Sequence, residues 1–428
     1  MRRALLLLPL VSALALADEA HHHEHSAKVQ VHEHSAEAHH HESAAPTVSP
    51  EIYKEFQAIE ALAAKSAYSE AEHKIQELLP GLKDNPAARA LLLRNLATLY
   101  GLQKHYAHAA ETLEQSLAAR ALPAEESIRA MLEMGQYWIA AENYPKAAEA
   151  LSAWIEQASA PAPEYFLLLA DIRGRLGQYP EAAALVEKAI ARAPQPKPEW
   201  YRLQVGLYHA AHDHEGCARA LAALIERSPD NALYWNQLTG VYQEAGKEAE
   251  ALAVRQLMYK RGMLKTSAEI VQLAQVLRYR GLHGRAAELL QGEIDRGGIA
   301  SDARNFDLLA DAWTEARDLR KAAAALEKAA AVADSGDNQY RLGQIYSELR
   351  DWPKARRALS RALALGSLKN PGGAQLLLGM AYYRLDEKGE ARSAFVRAQA
   401  SPALRATADQ WLKHLDREAQ QSRKGSRS

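Results

Sequence analysis

The residues best able to do chemistry in this sequence are histidines near its start. Residues 18–50 hold nine of the chain's 17 histidines, namely His21, His22, His23, His25, His32, His34, His39, His40 and His41. Neutral imidazole is a common ligand of Zn, Cu and Ni ions, and a flexible chain can present several imidazoles to one ion. The tract therefore predicts binding of Zn, Ni or Cu without selecting among them. The alternative is a solvating linker whose histidines bind nothing.

A second group of potential metal ligands consists of His209, His212, His214 and Cys217. These residue types suit Zn, but the spacing defines no ligand geometry. Cys217 takes a position where other parts of the chain place a small apolar residue, and a buried cysteine behaves as such a residue. The favoured interpretation of this group is therefore structural.

Other chemistry has no basis in the sequence. It contains no glycine-rich phosphate loop, no nucleophile elbow and no HExxH motif, so no enzyme activity and no required cofactor are predicted. The formal net charge of −1 gives no basic field for nucleic acid. With nucleic acid disfavoured and no enzyme chemistry predicted, the partners that remain are proteins.

The elements that position these residues follow one repeat. Small residues recur at Ala71, Ala109, Ala147, Ala182, Cys217, Ala251, Ala286, Ala322, Ala355 and Ala391. Their spacing is close to the period of about 34 residues that is typical of the tetratricopeptide repeat (TPR), a helix–turn–helix unit. We call these ten residues the anchors. The sequence thus predicts an all-α fold, a right-handed TPR superhelix (α-solenoid) of about ten repeats with a C-terminal capping helix.

The regions outside the repeats differ in composition. Residues 1–17 have a basic start, an apolar run and a small-residue end, which predicts a signal peptide cleaved after Ala17, export to the periplasm and no stable membrane span afterwards. Residues 18–50 are predicted to be disordered, because they contain almost no large apolar residue. The array is assigned to residues 51–400, the capping helix to 401–421 and a basic tail to 422–428. The proline-rich segment 193–198 reads as a turn between repeats in preference to a hinge.

A partner-binding groove is predicted on the first helices of the later repeats. In this type of repeat, the positions two before and two or five after the recurring leucine of the first helix line the inner surface. They are Asn236, Gln243, Gln275, Arg278, Asp307, Asp311, Thr314, Tyr340 and Gln344. Such amide, charged and phenolic groups suit an extended peptide, although ordinary solvated residues would follow the same template. Arg94 and Asn95 are similar to half of a carboxylate clamp, but Leu132 and Glu133 in the next repeat do not complete it.

The second half of the chain carries a more specific likeness. The segments are YWNQLTGVYQEAGKEAEALAVRQLMYKRGML (234–264), LLADAWTEARDLRKAAAALEKAA (308–330), GSLKNPGGAQLLLGMAYYRLDEKGEARSAFVRA (366–398) and DQWLKHLDRE (409–418). Together they resemble the exported TPR proteins associated with bacterial TonB–ExbB–ExbD systems. That resemblance implies a periplasmic adaptor without catalytic residues, which assists energy transfer to outer-membrane nutrient receptors.

Three hypotheses on function follow. The first is a non-enzymatic periplasmic scaffold that binds protein partners, among them components of a TonB system for nutrient or metal uptake. The second is a protein that buffers or delivers Zn, Ni or Cu through the histidine-rich tract. The third is a general factor for envelope assembly that uses the same groove.

Overall fold

The computed structural model of the protein describes the backbone of residues 50–425 and the side chains of residues 51–421. Over this part of the chain there are 21 α-helices, one short 3₁₀-helix and no strand. The helices form ten consecutive hairpins and one final helix, so the predicted all-α TPR fold is confirmed. The predicted signal peptide, the nine histidines of the tract and the last three residues lie outside the described residues.

The described residues up to Ser228 form a first compact unit of five hairpins. Its helices are α1 (Pro50–Ala64), α2 (Tyr68–Leu78), α3 (Pro86–Leu102), α4 (Tyr106–Ala118), α5 (Ala124–Ala140), α6 (Tyr144–Gln157), α7 (Pro163–Arg175), α8 (Tyr179–Arg192), α9 (Pro198–Ala210) and α10 (His214–Arg227), with the 3₁₀-helix Leu79–Leu82 after α2. The proline-rich segment 193–198 comprises the turn between α8 and α9 and the first residue of α9, and these two helices pack together.

The residues from Pro229 onward form a second compact unit, again of five hairpins. Its helices are α11 (Ala232–Glu244), α12 (Glu248–Lys260), α13 (Ser267–Tyr279), α14 (His283–Arg296), α15 (Ala303–Glu315), α16 (Leu319–Val332), α17 (Gly336–Glu348), α18 (Trp352–Leu365), α19 (Pro371–Arg384), α20 (Lys388–Ala398) and the final α21 (Arg405–Gly425). Odd-numbered helices up to α19 are the first helices of hairpins, and even-numbered helices are the second.

Each hairpin turns at one residue with positive φ, five positions before its anchor. These residues are Ser66, Lys104, Glu142, Gly177, His212, Gly246, Gly281, Arg317, Arg350 and Asp386. A left-handed residue ends a helix by redirecting the chain, and the next N–H bonds back to the helix, as Asp351 N does to Tyr346 O at 2.9 Å. Only three of the ten are glycine. The turn is therefore imposed by packing on both sides, since L-residues adopt this conformation at a cost.

The anchors lie at the contact between the two helices of each hairpin. All ten are at most 3% exposed. Glycines on the facing helix bring the backbones closer still: a Cβ added at Gly379 would lie 2.6 Å from Phe395 Cε1, and one added at Gly343 would overlap Leu359. The periodic small residues thus set the distance between helices, as the sequence predicts.

The final helix α21 covers the end of the array. Ala408 and Leu415 are buried against α20, and the ring of Trp411 stacks on Phe395 with centroids 5.3 Å apart. Tyr383 on α19 donates to Glu418 Oε1 at 2.6 Å. This confirms a capping helix: its apolar face covers the last hairpin, and its polar face meets solvent.

Candidate functional site

The nine predicted groove residues lie on α11, α13, α15 and α17, at positions that flank the buried Leu238, Leu273, Leu309 and Leu342. Asn236, Gln243, Gln275, Thr314 and Gln344 are exposed, and Arg278, Asp307, Asp311 and Tyr340 are half-buried. We call these nine residues the first-helix face. None of them is fully buried, although Tyr340 packs against the core cluster of Leu359, Ala374 and Leu378, so all nine keep some surface that a partner could reach. That they bind one stays a prediction.

The charged members of the first-helix face are joined in a network across three successive hairpins. Arg278 on α13 donates to both carboxylate oxygens of Glu315 on α15, at 2.9 and 2.6 Å. Asp311 lies 3.8 Å from Arg278 and also pairs with Arg341 on α17. Arg341 reaches Asp307 at 3.4 Å as well. The network therefore ties the first helices of three repeats to one another.

The bidentate ion pair between Arg278 and Glu315, at one end of this network, lowers the pKa of the Glu315 carboxylate. Hydrogen bonds from Arg278 hold the pKa of Glu315 below its ordinary value, and the nearby His283 acts in the same direction. Glu315 is therefore ionised throughout the neutral range. The guanidinium geometry fixes the two side chains more firmly than a single contact would.

The amide members behave differently from the charged ones. Asn236, Gln243 and Gln275 make no side-chain hydrogen bond to another described residue. Gln344 contacts the hydroxyl of Tyr340. Burial raises the pKa of this hydroxyl above its ordinary value. A free amide offers both a donor and an acceptor, which is what the backbone of an extended peptide requires.

The first-helix face stops at α19. There the positions equivalent to the groove residues are Leu376, Met380 and Tyr383. They pack against the same core cluster as Trp411 and Leu412 of the final helix, and the ring centroids of Tyr383 and Trp411 lie 5.3 Å apart. The final helix thus takes the place that a following first helix would have. Within the second unit, the row of uncovered polar positions therefore ends before α19.

Glu315 and Arg341 belong to the network but were not among the predicted residues. The signal that points to them is charge: each lies next to a template position and faces an opposite charge on the neighbouring first helix. Sequence reasoning considers one repeat at a time, so contacts between consecutive first helices escape it.

In the first unit, the clamp-like residue Arg94 is already paired with carboxylates of the next hairpin. Arg94 on α3 pairs with Glu126 and, at 3.0 Å, with Glu133 on α5. Its guanidinium therefore braces two hairpins, and Glu133 occupies the place where a clamp would need a second donor. This geometry offers no carboxylate-binding site.

The second group of potential metal ligands is spread around a turn. His212 is the left-handed residue between α9 and α10, and His214 begins α10. Cys217 is buried and its Sγ lies 3.5 Å from Val205 O, as expected for an anchor. Across residues 51–421, no three His, Cys, Asp or Glu side chains gather closely enough to hold a metal ion. Among the helices of the described part, none is long and apolar enough to cross a membrane.

Comparison with known proteins agrees with the repeat assignment. Residues 340–406 match the family model of the tetratricopeptide repeat, which covers α18, α19 and α20 and most of α17. No curated protein is similar enough to match the sequence. The chain carries TPR repeats, and such repeats are scaffolds for protein–protein interaction.

Solved structures with a similar arrangement of helices are distant in sequence. A TPR protein from Parabacteroides merdae is 13% identical, with 67% of this chain and 94% of that chain covered and a TM-score of 0.32. The C-terminal part of a TPR protein from Cytophaga hutchinsonii is 16% identical, with 65% and 95% covered and a TM-score of 0.30. The MamA protein is 19% identical, with 49% and 94% covered and a TM-score of 0.28. These values are too low to transfer a function.

Proposed function

We propose that the protein is a periplasmic scaffold whose first-helix face binds an extended segment of a protein partner. The observation that carries the proposal is the row of unpaired amides at Asn236, Gln243 and Gln275 beside a fixed ion-pair network. Repeat arrays of this kind present extended binding surfaces on consecutive units.

The network prepares the surface for binding. Its arginines and carboxylates already satisfy one another, so a partner need not neutralise them one by one. Side chains held in place before binding lose less entropy when a ligand arrives, which leaves more of the contact energy for affinity. The amides then hydrogen-bond to the peptide backbone and so fix its direction and register.

The cellular setting rests on the sequence. The pattern of residues 1–17 supports export, and the likeness of residues 233–418 to exported TPR proteins of TonB–ExbB–ExbD systems supports a role in TonB-dependent uptake. The partner would then be a component of that system or a protein delivered to it.

A second candidate function rests on the nine histidines of residues 18–50. Under this proposal the tract buffers or delivers Zn, Ni or Cu, and the repeats hold it near a partner. The two functions are compatible, because the tract and the first-helix face are separate in sequence.

A pull-down after crosslinking in the native envelope tests the scaffold proposal. The test variant combines Gln243→Ala, Gln275→Ala and Gln344→Ala, and the control combines Arg285→Ala, Glu288→Ala and Arg320→Ala on exposed second-helix positions. We expect the test variant to lose its crosslinked partner and the control to retain it. If the test variant captures the partner as well as the wild type does, the first-helix face is not the binding site.

A further inference from the structure

The second helices of the array differ sharply in charge along the chain. The first seven, α2 to α14, hold 16 acidic and 10 basic residues. The last three, α16, α18 and α20, hold 10 basic and two acidic residues. The excess of positive charge on the second helices is thus confined to the last three hairpins.

Helix α18 is the centre of this basic surface. It has four basic residues, Lys354, Arg356, Arg357 and Arg361, and no acidic residue. Arg356 pairs with Glu387, and Arg361 lies 2.6 Å from Asp334. The ammonium of Lys354 lies 3.9 Å from the carboxylate of Asp351 and 5.1 Å from the centroid of the Tyr346 ring, and it has no closer carboxylate in the described part of the chain. Arg357 forms no ion pair with another described residue. Two cations, at positions i and i+3 of one helix, therefore remain available to an anionic group.

These two cations border an open surface cavity of about 450 Å³ between α16, α17 and α18. Its apolar lining, which we call the floor, includes Ala330, Ala331, Leu342 and Ala358. A cavity of this size holds one or two side chains, and small floor residues leave room for them.

The carboxylates at the cavity are already engaged. Glu327 accepts from the hydroxyl of Tyr346, and Asp334 accepts from Gln339 at 2.8 Å and from Arg361. These hydrogen bonds lower the pKa of Asp334 below its ordinary value, so it stays ionised and paired. The hydroxyl of Tyr346 is neutral and does not offset the charge of Glu327, so Lys354, Arg357 and Arg361 against Glu327 and Asp334 leave a net charge of +1 at the cavity.

We propose that this cavity is a second docking site, which takes a peptide segment carrying an apolar side chain between acidic residues. The apolar side chain lies on the alanine floor, and its acidic neighbours pair with Lys354 and Arg357. Nucleic acid fits less well, because the ring of Tyr346 is only 6% exposed and offers no surface on which a base could stack. The cavity is lined by α16, α18 and part of α17, but none of its lining residues belongs to the first-helix face, so the two sites can be tested separately.

Fluorescence anisotropy on the purified mature chain tests the proposal. The probe is a labelled peptide with two leucines flanked on each side by three glutamates, and a lysine-flanked peptide of the same length is the comparison. The test variant is Lys354→Glu with Arg357→Glu. The control, Arg285→Glu with Arg219→Glu, makes the same change in net charge on other second helices. A third variant, Ala331→Trp, fills the floor without altering charge.

We expect the acidic peptide to bind the wild type and the control equally, and the charge-reversed variant to bind at least about tenfold more weakly. Ala331→Trp should also weaken binding, while circular dichroism stays unchanged for all variants. The proposal is overturned if the acidic peptide does not bind the wild type, if the control loses as much affinity as the test variant, or if Ala331→Trp binds normally. Binding of single-stranded oligo-dT with the same sensitivity to Lys354 and Arg357 would assign the surface to nucleic acid instead.

Discussion

Replacing Gly379 with alanine tests whether small residues set the helix spacing. The new Cβ would lie 2.6 Å from Phe395 Cε1 and 2.7 Å from Cδ1, whereas carbon atoms pack at about 3.5–4.0 Å. Phe395 is fully buried and cannot swing into solvent. The ring or the helix must therefore move by roughly 1 Å.

The expected cost follows from two opposing effects. Overpacking of a close-packed core costs about 1–3 kcal/mol. Alanine in a helix gains roughly 0.5–1 kcal/mol over glycine. We therefore expect a net loss of about 1–2 kcal/mol in the free energy of unfolding of the second unit. Gly240→Ala is the matched control, because an added Cβ there meets no atom within 4 Å. It should be neutral or stabilising.

Urea unfolding followed by circular dichroism and tryptophan fluorescence measures both effects. Because Trp411 stacks on Phe395, a displaced ring should also change the emission of the folded state. Adding Phe395→Leu to Gly379→Ala should cost less than the sum of the single changes, with a coupling of about 0.5–3 kcal/mol. A Gly379→Ala variant as stable as Gly240→Ala would refute the close-approach reasoning.

Three other predictions follow from the same contacts and from the sequence. Since the pKa of Glu315 is lowered in the folded protein from a reference of 4.5, its stabilising effect is complete above that pH and is lost as the pH falls through the folded pKa. Glu315→Gln should thus lower stability at neutral pH and flatten its decline on acidification, as urea titrations at several pH values will show; an unchanged slope would contradict this. Ala355→Leu or Ala322→Leu should lower the thermal midpoint by overpacking at anchors that are fully buried, costing about 1–3 kcal/mol, and unchanged midpoints would disprove the assigned register. Deleting residues 18–50 from the mature chain should leave helicity intact and abolish most Zn binding, as measured by calorimetry at neutral pH. If the truncated chain binds as much Zn as the mature chain, the tract is only a linker.

The repeat and its register were predictable because they depend on side-chain size at a fixed period. Ala355 and Gly343 show this well: both lie where two helices touch, and no larger residue fits there. The final helix was predictable for a similar reason, since Ala408, Trp411 and Leu415 follow one helical face.

Other features depend on contacts that no single repeat encodes. The left-handed turn at Arg350 has no local signal, because seven of the ten turns lack glycine and packing of the two helices imposes the conformation. The network of Arg278, Asp311 and Arg341 arises only when consecutive first helices lie side by side. The cavity beside Lys354 and Arg357 likewise requires three helices from two hairpins.

The most direct test of the scaffold account is site-specific photo-crosslinking in the native envelope. A photoreactive residue is placed at Gln275 or Gln344 on the first-helix face, and at Arg285 or Lys188 on exposed second-helix positions as controls. Mass spectrometry of the adducts then identifies the partner and the segment attached. The account predicts one shared partner segment, attached in order along the chain from both first-helix positions and from neither control. Adducts from the controls alone, or no common partner at Gln275 and Gln344, would contradict it.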